Sequence, residues 1–274
     1  MAEKAASASG DLRSAASRAQ DLITRGEYRI NPVGTTLFVL LRSLDPLLQY
    51  SILAHGAGTA LLHRVGLRTL PPGLPTHTGY PIIDNLGLSP YRLILLGMAV
   101  GSAFKHDIWA VAIGAEPMSP QVALVVSVFN TLVNSINSYA FLLSVSSASA
   151  QSTFPQPSLI VGSALYVTGI LIELIAEVQR KRFKADPKNK GKPYTGGLWS
   201  FARHINYGAY TIWRAGYGTA AGGWALGILN GAFFFYNFVT RGVPLLNEYC
   251  EKRYGADWEA FKRQTKYALI PGIY

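Results

Sequence analysis

The chain has 274 residues, of which 49% are hydrophobic and only 15% charged, with a formal net charge of +10 and a mean hydropathy of +0.19. Soluble domains carry about a quarter charged residues; here the basic residues cluster between long apolar runs, which favours a membrane protein over a nucleic-acid binder. The single cysteine, Cys250, excludes an internal disulfide and a multi-cysteine metal site, and no metal is expected.

Residues 1–33 are polar, rich in Ala and Ser, and carry Lys4, Arg13, Arg18, Arg25 and Arg29. That spacing faintly resembles a mitochondrial transit peptide, but Glu3, Asp11, Asp21 and Glu27 are foreign to such peptides. A solvated N-terminal tail on the cytosolic side is expected instead.

A helix needs about 20 mostly apolar residues to cross the hydrocarbon core. Proline in the first helical turn, where its missing N–H costs nothing, marks four starts. Asp45-Pro46 opens a span over 46–62, Ser89-Pro90 one over 90–113, Ser119-Pro120 one over 120–145, and Pro157-Ser158 one over 157–176. Asp45, Ser89 and Ser119 would also supply N-cap oxygens. Two weaker runs follow, 206–221 and 224–240. Backbone groups in lipid must be satisfied within the segment, so helices are expected rather than strands. The fold class is therefore an all-α, polytopic membrane helix bundle of about six transmembrane helices, with amphipathic C-terminal helices over 256–267 lying on the bilayer.

Several polar groups fall at membrane depth, where they are costly unless paired. The second span holds Lys105, His106 and Asp107 in a row; it carries either a functional cluster or an early end at the headgroups. The lone His55 of the first span reads as packing. Asn130, Asn134 and Asn137 of the third span share one helix face and form either a helix–helix seam or a cavity wall. Glu173 and Glu177 close the fourth span on one face, against the helix dipole. A salt bridge to Arg180 or Lys181, or a ligand, would stabilise them.

The loop after the fourth span holds Arg180, Lys181, Arg182, Lys184, Lys188, Lys190 and Lys192 against one acid, Asp186. The stretch 146–156 and the turn Gly222-Gly223 carry no charge. Lysine and arginine set orientation, so the basic loop and both termini are expected in the cytosol. Arg64 and Arg68 fall on the other side. The basic loop leads into Gly197-Leu-Trp-Ser-Phe-Ala-Arg-His-Ile-Asn-Tyr-Gly208. Cationic and amide donors at the mouth of a bundle suit a phosphate-bearing ligand.

That stretch resembles the C-terminal domain shared by steroid 5-alpha-reductases, sterol reductases and uncharacterised reductase-like membrane proteins. In these a Gly-Leu-Trp-x-Tyr-x-Arg-His-Pro-Asn-Tyr pattern recurs. The ending Cys250-x-x-x-Tyr-Gly-x-x-Trp258 with Ile270-Pro-Gly-Ile-Tyr274 looks like that of sterol reductases. The resemblance covers roughly 170–274. It implies a cytosolic tail (1–33), a three-span N-terminal membrane half on the substrate side (34–156) and a reductase-like half with the cofactor loop (157–274). It further implies an enzyme, typically of the endoplasmic reticulum, that reduces a carbon–carbon double bond in a steroid- or lipid-like substrate with NADPH. By position, Glu173, Glu177, Trp199, Arg203, His204, Asn206 and Tyr207 would contact the cofactor, and Tyr207, His204 or His106 would donate the proton.

Three positions depart from the pattern: Ile205 replaces the proline, Tyr210 stands where an acid is common, and Leu245-Leu246-Asn247 replaces an Arg-Asp-Glu cluster. Isoprenylcysteine and phospholipid methyltransferases also have a basic loop, an Arg-His-Pro-x-Tyr stretch and acids near the C-terminus. S-adenosylmethionine-dependent methylation is thus a second reading, although Asn247-Glu248 stands where they show paired glutamates. A non-catalytic membrane scaffold is a third.

Overall fold

The structure, a computed structural model, describes residues 10–150 and 154–274. Glu3 and Lys4 of the expected tail, and 151–153 of the uncharged stretch 146–156, lie outside them. The described chain is all-α, with no strand and one isolated bridge, Thr69–Leu143. In chain order its helices are α1 (Ala15–Gln20), α2 (Pro32–His55), α3 (Thr59–Arg64), α4 (Pro81–Asp84), α5 (Pro90–Ile108), α6 (Pro120–Leu142), α7 (Pro157–Ala185), α8 (Ile205–Asn237), α9 (Val243–Tyr254) and α10 (Ala256–Gln264). A wider π turn, Trp109–Ile113, prolongs α5, and another, Phe238–Gly242, joins α8 to α9.

Four helices are long and apolar enough to cross a bilayer: α2, α5 with its π turn, α6 and α7. Their outward faces form an apolar belt, with Leu40, Leu44 and Leu47 on α2, Leu124, Val128 and Leu132 on α6, and Val167 and Leu171 on α7 exposed. Exposed apolar surface on this scale marks contact with lipid. The chain is an integral membrane protein.

The proline signals at 90, 120 and 157 mark real helix starts, and the Ser119 side chain accepts from the Val122 N–H at 3.2 Å. The first span differs from its expectation. It opens at Asn31-Pro32, with the Asn31 oxygen accepting from the Gly34 N–H at 3.1 Å. Pro46 therefore sits inside α2, and Asp45 is a buried mid-helix acid rather than a cap. Helix α7 also runs on to Ala185, so Arg180 to Lys184 are helical rather than loop residues.

The weaker runs, 206–221 and 224–240, are the two arms of α8. At Gly222 and Gly223 the backbone leaves helical geometry, and Gly223 takes φ 72°, open to glycine without steric cost. The arms then run antiparallel: a Cβ on Gly227 would meet the Thr219 hydroxyl at 1.9 Å, and Tyr207 stacks on Phe238 with ring centroids 4.4 Å apart. The first arm lies against α7 along glycines. A Cβ on Gly216 would stand 2.6 Å from the Tyr166 nitrogen and 2.7 Å from the Gly162 oxygen. Small residues let membrane helices approach this closely.

This winding puts the N-terminal segment, the basic loop, α9 and α10 at one end of the bundle, the basic end. Residues 56–89 and the Gly222-Gly223 turn lie at the other. There Arg92 ties α5 to the end of α2 and to the loop between them, donating to the Leu53 and Pro71 carbonyls at 2.6 and 2.8 Å.

The N-terminal segment is not a free tail over 10–31. Arg13 is buried and clasps Asp11 at 2.6 Å and Asp21 at 2.7 Å. Ser14 N–H donates to Glu248 of α9 at 2.7 Å, and Arg241 Nε donates to the Gln20 carbonyl at 3.0 Å. The segment thus straps across the basic end.

Candidate functional site

Helix α7 presents Glu173, Glu177 and Arg180 to the first turns of α8. Asn206 donates to Glu177 Oε1 at 2.8 Å, and Arg180 pairs with the other oxygen of the same carboxylate. The Asn206 side-chain amide oxygen is buried and has no hydrogen-bond partner. An orphaned acceptor of this kind costs about 1–3 kcal/mol unless something donates to it. Arg180 keeps 40% of its side chain exposed beside a Glu177 that is only 4% exposed. It lies 5.1 Å over the Trp199 ring.

Trp199, Arg203 and His204 build the wall behind this pair. Trp199 Nε1 donates to the Ala176 carbonyl at 2.8 Å, fixing the turn 197–200 onto α7. Arg203 donates to the Lys266 carbonyl at 3.0 Å, and His204 N–H to the Ala268 carbonyl at 2.7 Å, so both tie α8 to the C-terminal segment. The His204 ring packs between Tyr207 and Trp258 and shares a 3.2 Å hydrogen bond with Asn247 Oδ1. Burial holds this imidazole down at about 4, so it is neutral at pH 7. Nearby, burial pushes the Cys250 thiol up to about 12, against the opposing pull of Arg180, Lys184, Arg25 and Arg253. That thiol is protonated and unreactive.

Tyr207 lines a recess of about 190 Å³ between the N-terminal segment, the return arm of α8 and α9. Arg25 shares the recess and donates from Nε to Asp21 at 3.1 Å. Burial works against its charge, but Tyr207, Asp21 and Glu116 outweigh it and keep the guanidinium cationic.

One turn deeper, a closed polar network runs through the apolar bundle. Arg214, fully buried, donates to Tyr210 Oη at 2.9 Å and Asn134 Oδ1 at 2.9 Å, and also to Asn130. Asn134 donates in turn to Asp45 Oδ2 at 2.6 Å, and Arg42 pairs with that same oxygen at 3.2 Å. Gln49 donates to Asp45 Oδ1 at 2.9 Å, and Asn230 to Asn137 at 3.1 Å. The third-span asparagines therefore form a hydrogen-bonded seam.

The ionisable row of α5 splits. Lys105 pairs with Glu173, whose other oxygen accepts from Trp213 Nε1 at 2.8 Å. His106 is buried among Phe38, Tyr210 and Trp213 with an unpartnered Nδ1. Asp107 accepts from Ser43 at 3.2 Å.

Of the residues singled out in the sequence, the structure brings Glu177, Asn206, Trp199, Arg203, His204 and Tyr207 together at the basic end. Glu173 and His106 stand deeper, beside Tyr210. Sequence reading missed Arg42, Asp45 as a buried acid, Arg214, and Arg25 as part of a wall. A lone arginine in a weak apolar run was the available signal for Arg214.

Among known proteins, a family profile described as "Protein of unknown function (DUF1295)" matches residues 108–265. The chain is 39% identical over 257 residues to "Probable O-methyltransferase ustE" of Ustilaginoidea virens, covering 92% of this chain and 89% of that protein. It is 27% identical over 164 residues to the Delta(14)-sterol reductase of Neurospora crassa, 42% of this chain and 33% of that protein. It is 31% identical over 119 residues to the Delta(14)-sterol reductase erg24 of Schizosaccharomyces pombe, 36% and 26%. The likeness thus spans about a third or less of the sterol reductases.

Proposed function

The chain belongs to this DUF1295 family, a sterol-reductase-like family of membrane proteins, and from that premise we propose that it is an NADPH-dependent reductase of a carbon–carbon double bond in a steroid- or lipid-like substrate. The observation that carries this reading is the buried, unpartnered Asn206 side-chain oxygen beside Glu177, whose other carboxylate oxygen pairs with the partly exposed Arg180. An amide acceptor and a carboxylate side by side suit the amide and hydroxyl donors of a nucleotide, and Arg180 suits its phosphates. Bound there, NADPH supplies the hydride.

The chain's own residues do the rest. Glu177 and Asn206 orient the cofactor, with Trp199 and Arg203 holding the wall through backbone carbonyls. Tyr207, on the same helical turn as Asn206, holds the proton for the second carbon at its hydroxyl. His204, neutral and tied to Asn247, positions Tyr207 by ring contact. The belt of spans admits a hydrophobic substrate from the bilayer and keeps water from the reacting carbons. In this reading the basic end faces the cytosol, and the endoplasmic reticulum is the proposed membrane.

The whole-length relative named as an O-methyltransferase favours a second reading. S-adenosylmethionine carries an ammonium that Glu177 and Asn206 would accept and a carboxylate that Arg180 would pair. The two separate by ligand-dependent thermal stability of the detergent-purified protein, since a ligand that binds the native state raises its melting point. A rise with NADPH that Asn206→Ala abolishes supports the reductase. A rise with S-adenosylmethionine alone overturns it.

A further inference from the structure

The recess beside Tyr207 has a polar wall that the reductase reading leaves unused. Arg25 and Arg241 both line it, with Asn237 between the apolar side chains of Phe238 and Leu245. Its acid is Asp21, and that carboxylate is already shared between Arg13 at 2.7 Å and Arg25 at 3.1 Å. Glu116 stands 3.9 Å from Arg25, beyond hydrogen-bond reach. Among the described residues, Arg241 bonds the Gln20 carbonyl, a neutral acceptor, and pairs with no carboxylate. Two guanidinium groups thus converge on one cavity whose lining holds a single acid, Asp21, with Glu116 behind Arg25.

A cavity of about 190 Å³ is large enough for a group of several heavy atoms, since one water occupies about 30 Å³ of liquid volume. Guanidinium forks and an amide match tetrahedral oxygens bearing negative charge. The apolar remainder of the wall admits no second acid.

We propose that this recess is a phosphoryl-binding site, with Arg25 and Arg241 pairing to its oxygens and the N-terminal segment folded over it. The site makes the N-terminal segment a working part of the protein, because Arg25 comes from it. The inference rests on the reductase reading only in placing Tyr207 next to a cofactor. The phosphoryl group belongs either to that cofactor or to a phospholipid headgroup.

The test uses the full chain in non-ionic detergent at fixed ionic strength. Inorganic pyrophosphate and dihexanoyl phosphatidic acid are titrated while thermal stability is followed. Saturable stabilisation by at least one probe is expected, weakened about tenfold or more in Arg25→Gln and in Arg241→Gln, as loss of a charged hydrogen bond requires. Lys262→Gln, on α10 and outside the recess lining, should bind as wild type. Competition by NADPH assigns the site to the cofactor, and displacement by phosphatidic acid alone assigns it to lipid. Absence of saturable binding of both probes to the wild-type protein overturns the proposal, as does an equal loss in Lys262→Gln. Pyrophosphate binding to a protein whose melting point NADPH does not raise sinks the reductase reading and leaves this one standing.

Discussion

Arg214 and Asp45 share one buried network without touching, because Asn134 stands between them, accepting from Arg214 at 2.9 Å and donating to Asp45 at 2.6 Å. The Arg214 guanidinium otherwise rests on hydroxyl and amide oxygens and on the faces of Tyr210, Trp213 and Phe234. One side-chain amide therefore relays charge across the bundle, from α8 through α6 to α2.

Asn134→Leu removes both bonds and leaves two buried charges without their relay. Single interhelical hydrogen bonds in membranes average about 0.6 kcal/mol, whereas breaking a buried ionic network costs about 3–5 kcal/mol. A loss of about 2–4 kcal/mol is expected between those limits, measured by unfolding in mixed micelles. A change below about 0.5 kcal/mol, the range of surface substitutions, would show that Asn134 carries no such role.

His204 makes stability depend on pH. Its folded value lies near 4, below the unfolded 6.5, so below pH 6.5 the unfolded state binds the extra proton. Stability is then complete above 6.5 and declines by about 3 kcal/mol as pH falls toward 4. His204→Gln should flatten that part of the melting-point profile; an unchanged slope would contradict the assignment.

The α7–α8 seam tolerates no Cβ at Gly162, which would meet the Ala220 nitrogen at 2.5 Å. The obstacle is backbone and cannot swing away. Gly162→Val is expected to lose about 1–3 kcal/mol or more and to yield aggregated protein on size-exclusion chromatography. Wild-type yield and melting point would refute the close packing.

The N-terminal strap depends on Glu248, whose carboxyl Lys252, Ser17 and Ser14 hold down at about 2. A depressed value means the contact is present above the ordinary carboxyl range and lost as pH falls toward 2. Glu248→Gln should speed limited proteolysis within residues 10–31 severalfold at neutral pH. Equal cleavage rates would show that Glu248 does not hold the strap.

Much of this architecture was legible because proline and apolar runs obey local rules. The starts at Pro90, Pro120 and Pro157 follow from missing N–H groups alone, and the Gly222-Gly223 break separates two apolar arms as expected. Asp45-Pro46 carried the same local signature as a true start, yet Pro46 lies inside α2. A cap and a buried acid look identical in sequence until the partner is known, and the partners Arg42 and Asn134 lie on a face and a helix that only folding supplies. The grouping of the candidate residues was legible to the same degree. Glu177 and Asn206 lie 29 positions apart but close at 2.8 Å, because α7 and α8 are sequential neighbours. Arg25 escaped because nothing local in a polar segment tells that it folds back onto Tyr207.

Deuterium transfer tests the central claim most directly. Membranes expressing the chain would be given NADPH deuterated at C4 of the nicotinamide, or methyl-deuterated S-adenosylmethionine, and their lipids read by mass spectrometry against membranes carrying Asn206→Ala. The account predicts a saturated lipid with one deuterium from the nicotinamide and one solvent hydrogen on the adjacent carbon, formed by the wild type and missing in the variant. A deuterated methyl group on a lipid oxygen, with no label from NADPH, would contradict it.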